Sequence, residues 1–229
     1  MHGADMAIPL QEQNGPSAGP IGSGASAGAP ADLPAELRPE LRHAPRLTLL
    51  IRAAKILTLF GEYVCVVRDA SETGVSVTLF HPLPATGALV LEMANGDRYP
   101  LERVWAEADK AGFRFATRAP LGRLVEAPSV HPKRAVRVNL ELPCVLSGLF
   151  GRIDADLCNI SQQGALVRSA TRLALAQQLR LKAQGLPEVA ARVRWRRGDL
   201  FGLVFQDTFQ FAQFGQIVHA MQEPLRTNA

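Results

Sequence analysis

The chain has 229 residues, 47% hydrophobic and 20% charged, a balance that supports one or two packed cores and excludes a fibre or a wholly disordered polypeptide. Its formal net charge of +4 is unevenly spread: residues 1–40 hold one basic and five acidic side chains, 41–130 hold 11 and 9, 131–205 hold 12 and 5, and 206–229 hold one and two. The excess over 131–205 attracts phosphates and leaves open whether the anion is a nucleotide, a nucleic acid or another protein.

Residues 1–40 open with a Gly/Ala/Ser/Pro tract too poor in large apolar side chains to offset the entropy of ordering it, so a disordered tail is expected there. Neither a secretory signal nor an apolar run long enough to span a bilayer is readable, and a cytoplasmic protein with no membrane insertion is the expectation. Beyond the tail the chain repeats itself. Residues 48–118 laid on 138–208 give 14 identities in 71 ungapped positions, where ordinary composition gives roughly four. The identities pair Leu59-Phe60-Gly61 with Leu149-Phe150-Gly151, Ser71 with Ser161, Gly74 with Gly164, Trp105 with Trp195 and Gly112 with Gly202. Two copies of one module follow, over 41–129 and 130–229.

Each copy is punctuated as a small all-β domain. The first predicts strands at 47–58, 63–68, 75–80, 88–93, 98–106 and 113–117, with Asn95-Gly96 as a hairpin turn. The second predicts them at 138–146, 153–158, 165–168, 178–183, 189–195 and 202–206. Six short strands per copy suggest a closed barrel, which hides its sheet edges. After the second barrel Phe211, Phe214, Ile217, Val218 and Met221 fall at helical spacing, predicting a C-terminal helix laid over its own barrel. Cys65, Cys144 and Cys158 are odd in number and form no C-x-x-C pair, which reads as buried structural thiols.

Equivalent points of the repeat carry Asp69-Ala-Ser71-Glu-Thr-Gly74 and Asn159-Ile-Ser161-Gln-Gln-Gly164, both fitting [DN]-x-S-x-x-G. Upstream lie the basic clusters Arg42-His-Ala-Pro-Arg46 and Lys133-Arg134-Ala-Val-Arg137. A basic pair, a β run, this string, and then a Trp followed by G-x-x-F resemble the PilZ family, over about 41–129 and 130–222. The resemblance implies six-stranded barrels that bind cyclic di-GMP, a receptor without enzymatic activity, and a signal passed to a protein partner that controls motility, adhesion or exopolysaccharide production. It places ligand contacts at Arg42, Arg46, Asp69, Ser71 and Gly74 in the first copy and at Lys133, Arg134, Arg137, Asn159, Ser161 and Gly164 in the second. Lys133 stands where the family has arginine, and Arg52 and Lys55 offer an alternative basic pair in the first copy.

These residue types suit the chemistry. A planar guanidinium grips a phosphate with two donors, stacks on a purine, or donates to guanine O6 and N7. A carboxylate or carboxamide accepts from guanine N–H groups, and glycine allows a tight backbone approach. The rival reading is a tandem interaction module that binds no ligand. The arginines flanking Trp195 raise a nucleic-acid reading, which ranks below a core or barrel-mouth tryptophan with solvent-facing arginines because Trp105 lacks comparable flanks. His2, His43, His81, His131 and His219 make no metal-ligand spacing, and no nucleophile elbow, phosphate loop or dinucleotide fingerprint is present. Neither a metal nor a cofactor is expected.

Overall fold

The structure, a computed structural model, describes residues 51–84, 87–125 and 135–227. The tail expected over 1–40 and the module boundary at 129–130 lie outside them. Strands β1 (Arg52–Thr58), β2 (Gly61–Ala70), β3 (Gly74–Leu79), β4 (Leu89–Met93), β5 (Arg98–Ala106) and β6 (Lys110–Phe115) close a barrel in the order β1-β2-β3-β6-β5-β4. A short helix, α1 (Leu121–Val125), follows. Strands β7 (Arg137–Gly148), β8 (Gly151–Ser161), β9 (Gly164–Arg168), β10 (Gln178–Ala183), β11 (Leu186–Arg197) and β12 (Leu200–Phe205) close a second barrel of the same order, and α2 (Phe211–Thr227) ends the described chain. All pairings are antiparallel.

Period-two alternation builds each wall. Along β7, Val138, Leu140, Leu142, Cys144 and Leu146 are buried while their neighbours face outward. The repeated Leu-Phe-Gly strings are the tips of the β1–β2 and β7–β8 hairpins, where Gly61 (φ +134°) and Gly151 (φ +89°) take a backbone conformation that side chains disfavour. Asn95-Gly96 turns β4 into β5 as expected, with the Gly96 N–H donating to the Met93 carbonyl at 2.9 Å. Ladder shifts recur at matching places, between Val67 and Asp69 and between Leu157 and Asn159, and again between Arg103 and Trp105 and between Val193 and Trp195. These bulges re-aim the residues that follow them.

Helix α2 departs from the expectation that it covers only its own barrel. Phe214, Val218 and Met221 are buried in the second barrel's hydrophobic cluster, at about 2 kcal/mol of apolar burial each. That same cluster takes in Val64 of the first barrel, with Ala53 and Phe80 packed against it. Phe211 meets Phe80 edge-on at 5.5 Å, and the His219 ring stacks on His81 at 4.4 Å. A helix whose apolar face exceeds what one barrel wall covers wedges between the two.

Candidate functional site

The paired motif strings are tight turns. In the second barrel Ser161 ends β8 and Gly164 begins β9; the Ser161 hydroxyl donates to the Gly164 carbonyl at 3.1 Å and accepts from the Gln163 N–H at 3.4 Å. In the first, the Ser71 hydroxyl accepts from the Gly74 N–H at 3.2 Å. Both serines are buried, their oxygens engaged in shaping the turn. The glycines are steric necessities: a Cβ on Gly164 would run into the Leu203 carbonyl oxygen, and one on Gly74 would lie 2.7 Å from that of Phe113.

Beside the second turn lies a cavity of about 300 Å³ lined by, among others, Arg137, Asn159, Ser161, Gly164, Arg194 and Trp195. The β7–β8 register sets Arg137 opposite Ser161 and Asn139 opposite Asn159. Arg194 is the unpaired residue of the β11 bulge, which turns Trp195 out onto β12. There the indole lies over Gly202, whose missing side chain leaves it room. Trp195 is 46% exposed and Trp105 40%, so both tryptophans belong to the surface and not the core, because the bulge before each reverses the inward–outward alternation. Among the described residues no carboxylate engages the guanidinium of Arg137 or Arg194, whereas Arg98, Arg114, Arg123 and Arg180 are each held by one.

The structure therefore brings together Arg137, Asn159, Ser161 and Gly164 of the expected set, and adds Arg194 and Trp195. The signal for the additions is in the sequence: Arg-Val-Arg-Trp-Arg-Arg surrounds the repeated tryptophan in one copy only. Lys133 and Arg134, like Arg42 and Arg46, lie outside the described residues.

The first barrel places Asp69, Ser71 and Gly74 at matching positions, but its surroundings differ. The Asp69 carboxylate accepts from the Ser76 hydroxyl at 2.8 Å. Val104 stands where the second copy has Arg194, and Glu102, paired with Arg114 at 2.6 Å, stands where it has Arg192. The alternative basic residue Lys55 is buried, with its ammonium held by Glu62 and Glu92.

Cys65 and Cys144 are buried as expected, but Cys158 is partly exposed, because it is the unpaired residue of the β8 bulge. Burial pushes the Cys65 thiol far up and, with the Asp156 charge added, the Cys144 thiol up to about 12. Burial raises Cys158 as well, against the lowering pull of Arg168. A thiol reagent is expected to modify Cys158 alone in the native protein and all three cysteines after unfolding; prompt native modification of Cys65 or Cys144 would contradict this burial. Above pH about 9 the unfolded chain loses these two protons while the folded chain keeps them, so stability falls by about 1.4 kcal/mol per pH unit per thiol.

Among the described residues no group of three His, Cys, Asp or Glu is arranged to hold a metal ion, and no helix is long and apolar enough to cross a membrane. Residues 132–222 match the family model described as PilZ domain. Similar solved structures include the PlzA protein of Borreliella burgdorferi in complex with c-di-GMP, at 12% identity and a TM-score of 0.31 over 76% of this chain and 89% of that one. Another is YcgR of Escherichia coli in complex with c-di-GMP, at 8% identity and a TM-score of 0.33 over 78% and 87%. A third is the Bacillus subtilis inhibitor of motility MotI/DgrA, at 15% identity and a TM-score of 0.34 over 77% and 97%. No curated protein matches the chain.

Proposed function

Because residues 132–222 match the PilZ domain family model, we propose that the second barrel is a receptor site for cyclic di-GMP and that the first barrel is a duplicated module without ligand. The observation that carries this reading is the convergence of two guanidinium groups that no carboxylate of the described residues engages, Arg137 and Arg194, with an exposed indole and the Asn159 carboxamide at one cavity. Phosphate is met by the guanidinium groups and by the motif residues Lys133 and Arg134 upstream; a guanine face stacks on Trp195 or an arginine plane; Asn159 accepts from guanine N–H groups. Ser161 and Gly164 serve by holding the turn. Charge-assisted bonds of about 1.5–3 kcal/mol each are sufficient for micromolar binding, roughly −8 kcal/mol, once ordering costs are met.

The same logic disfavours the first barrel, where Val104 and Glu102 replace two cations and Asp69 is already hydrogen-bonded. Arg42 and Arg46 then serve as linker charge. Calorimetric titration of the full chain with cyclic di-GMP is expected to give heat that Arg137→Ala or Arg194→Ala abolishes and Arg42→Ala/Arg46→Ala leaves intact. Absence of heat with folded native protein would overturn the reading.

A second reading concerns output. Leu59 and Leu149 stand almost fully exposed at the two hairpin tips, each beside a partly exposed phenylalanine, Phe60 and Phe150, and such adjoining apolar side chains at a tip suit contact with a protein partner. In this role the molecule is an effector, with ligand as input and a protein contact as output.

A further inference from the structure

Where the two barrels meet, a buried polar junction reaches the edge of the cavity. Lys55, with a side chain only 5% exposed, donates from Nζ to Glu62 Oε2 at 2.7 Å and to the Arg137 carbonyl at 2.8 Å, and pairs with Glu92 Oε1 at 3.1 Å. Glu62 in turn holds the next outward residue of β7, accepting from the Asn139 N–H at 2.9 Å and from Asn139 Nδ2 at 2.8 Å. The Glu62 backbone is clasped from the other side by the buried Gln222 of α2, whose Oε1 accepts its N–H at 2.7 Å and whose Nε2 donates to its carbonyl at 2.9 Å. Gly61 leaves room for that approach, since a Cβ there would strike Gln222 Oε1.

We propose that Lys55 and Glu62 of the first barrel are positioning residues for the second barrel's ligand site, fixing the backbone that carries Arg137; this rests on the receptor reading above. The β7–β8 ladder shifts register between Asn139 and Leu142, so the first residues of β7, still paired with β8 through Ser161, Ile160 and Asn159, are set apart from the rest of their strand and are held from the first barrel as well. Lys55 sets the peptide plane that follows Arg137, and Glu62 sets the one that precedes Asn139. A guanidinium reaches its phosphate through a long flexible stem, so the anchoring of its Cα decides how much ordering must accompany binding. A second cavity, of about 240 Å³, lies along the junction and shares Ala135 and Arg137 with the ligand cavity. Motion of Arg137 at one therefore changes the other, and by linkage ligand and barrel docking strengthen each other by the same factor.

Titration with cyclic di-GMP tests this in the full chain. Glu62→Ala is expected to weaken binding about tenfold, while Glu62→Gln, which keeps an acceptor for Asn139, stays within about threefold. In an Arg137→Lys background the Glu62→Ala effect is expected to shrink, since the residue acts through the arginine's placement; full additivity would overturn the proposal. Asn139→Asp, a change at an exposed side chain that sets a second carboxylate against Glu62, is expected to reproduce the loss if Glu62→Ala does not fold. Amide exchange separates the two readings. If native protein gives no heat, the receptor reading fails, and the junction is judged by the Asn139 amide. Its selective deprotection in Glu62→Ala supports control of this backbone, and unchanged protection overturns it.

Discussion

Replacing Lys55 with methionine is expected to lower the unfolding free energy by about 3 kcal/mol, read as a lower denaturant midpoint at unchanged slope. Methionine nearly conserves the volume, so the loss comes from charge and not from a cavity. Without the ammonium, Glu62 and Glu92 face each other at a site where their side chains are 18% and 16% exposed, and the Arg137 carbonyl loses its donor. A surface comparison fixes the scale: Arg98 also pairs with Glu92, at 2.7 Å, but is 65% exposed, and Arg98→Met is expected to cost under about 1 kcal/mol. Adding Glu62→Gln to Lys55→Met relieves the repulsion and is expected to restore about 1 kcal/mol. A Lys55→Met loss no larger than that of Arg98→Met would show that the junction is not a buried ion pair in solution.

Lys55 also marks where sequence reading stops. Its neighbours Ala54 and Ile56 are buried inside the first barrel, so alternation places Lys55 on the outer wall, where a lysine ordinarily meets water. It is buried only because the second barrel and its strand β7 close over that wall, which no periodicity in a single strand records. The same limit applies to α2: the spacing of Phe211, Phe214, Val218 and Met221 announces an apolar stripe but not the surfaces it meets. Features set within a few residues were legible, among them the two barrels, the Asn95-Gly96 turn and the β10 limits Gln178–Ala183. Strand ends erred where ladder partners decide them, as in β6, which begins at Lys110 and stops at Phe115 in place of 113–117.

The repeat separates what builds the barrel from what decorates it. Residues identical in both copies, such as Ser71 and Ser161, Gly74 and Gly164, or Gly112 and Gly202, occupy turns and close backbone approaches in each barrel. Residues lining the candidate cavity diverge: Arg194 against Val104, Asn159 against Asp69, Leu166 against Ser76. Internal identity therefore located the scaffold, while the site had to be sought in the differences. This explains why the paired motif led to the turn beside the candidate cavity and not to Arg194 and Trp195, which also line it.

Gly164→Ala and Gly202→Ala are expected to part company for a reason visible in what each new methyl group would meet. At Gly164 the obstacle is the carbonyl oxygen of Leu203, with its carbon 3.2 Å away, and that backbone is fixed in the β9–β12 ladder, where Leu203 pairs with Ala165. Strands must separate to admit the methyl, so a loss of about 2–4 kcal/mol is expected, together with loss of ligand binding. At Gly202 the obstacle is the indole of Trp195, a half-exposed side chain that can swing into solvent. Here the stability loss is expected to stay near 1 kcal/mol while cyclic di-GMP affinity falls, because the stacking surface leaves its place. Gly74→Ala and Gly112→Ala repeat the contrast in the first barrel, against the Phe113 carbonyl and the Trp105 ring, with the stability difference preserved and ligand affinity little changed. Denaturant melts of the four variants decide the matter: equal losses at Gly164 and Gly202 would mean that the indole is as immovable as the strand beneath it.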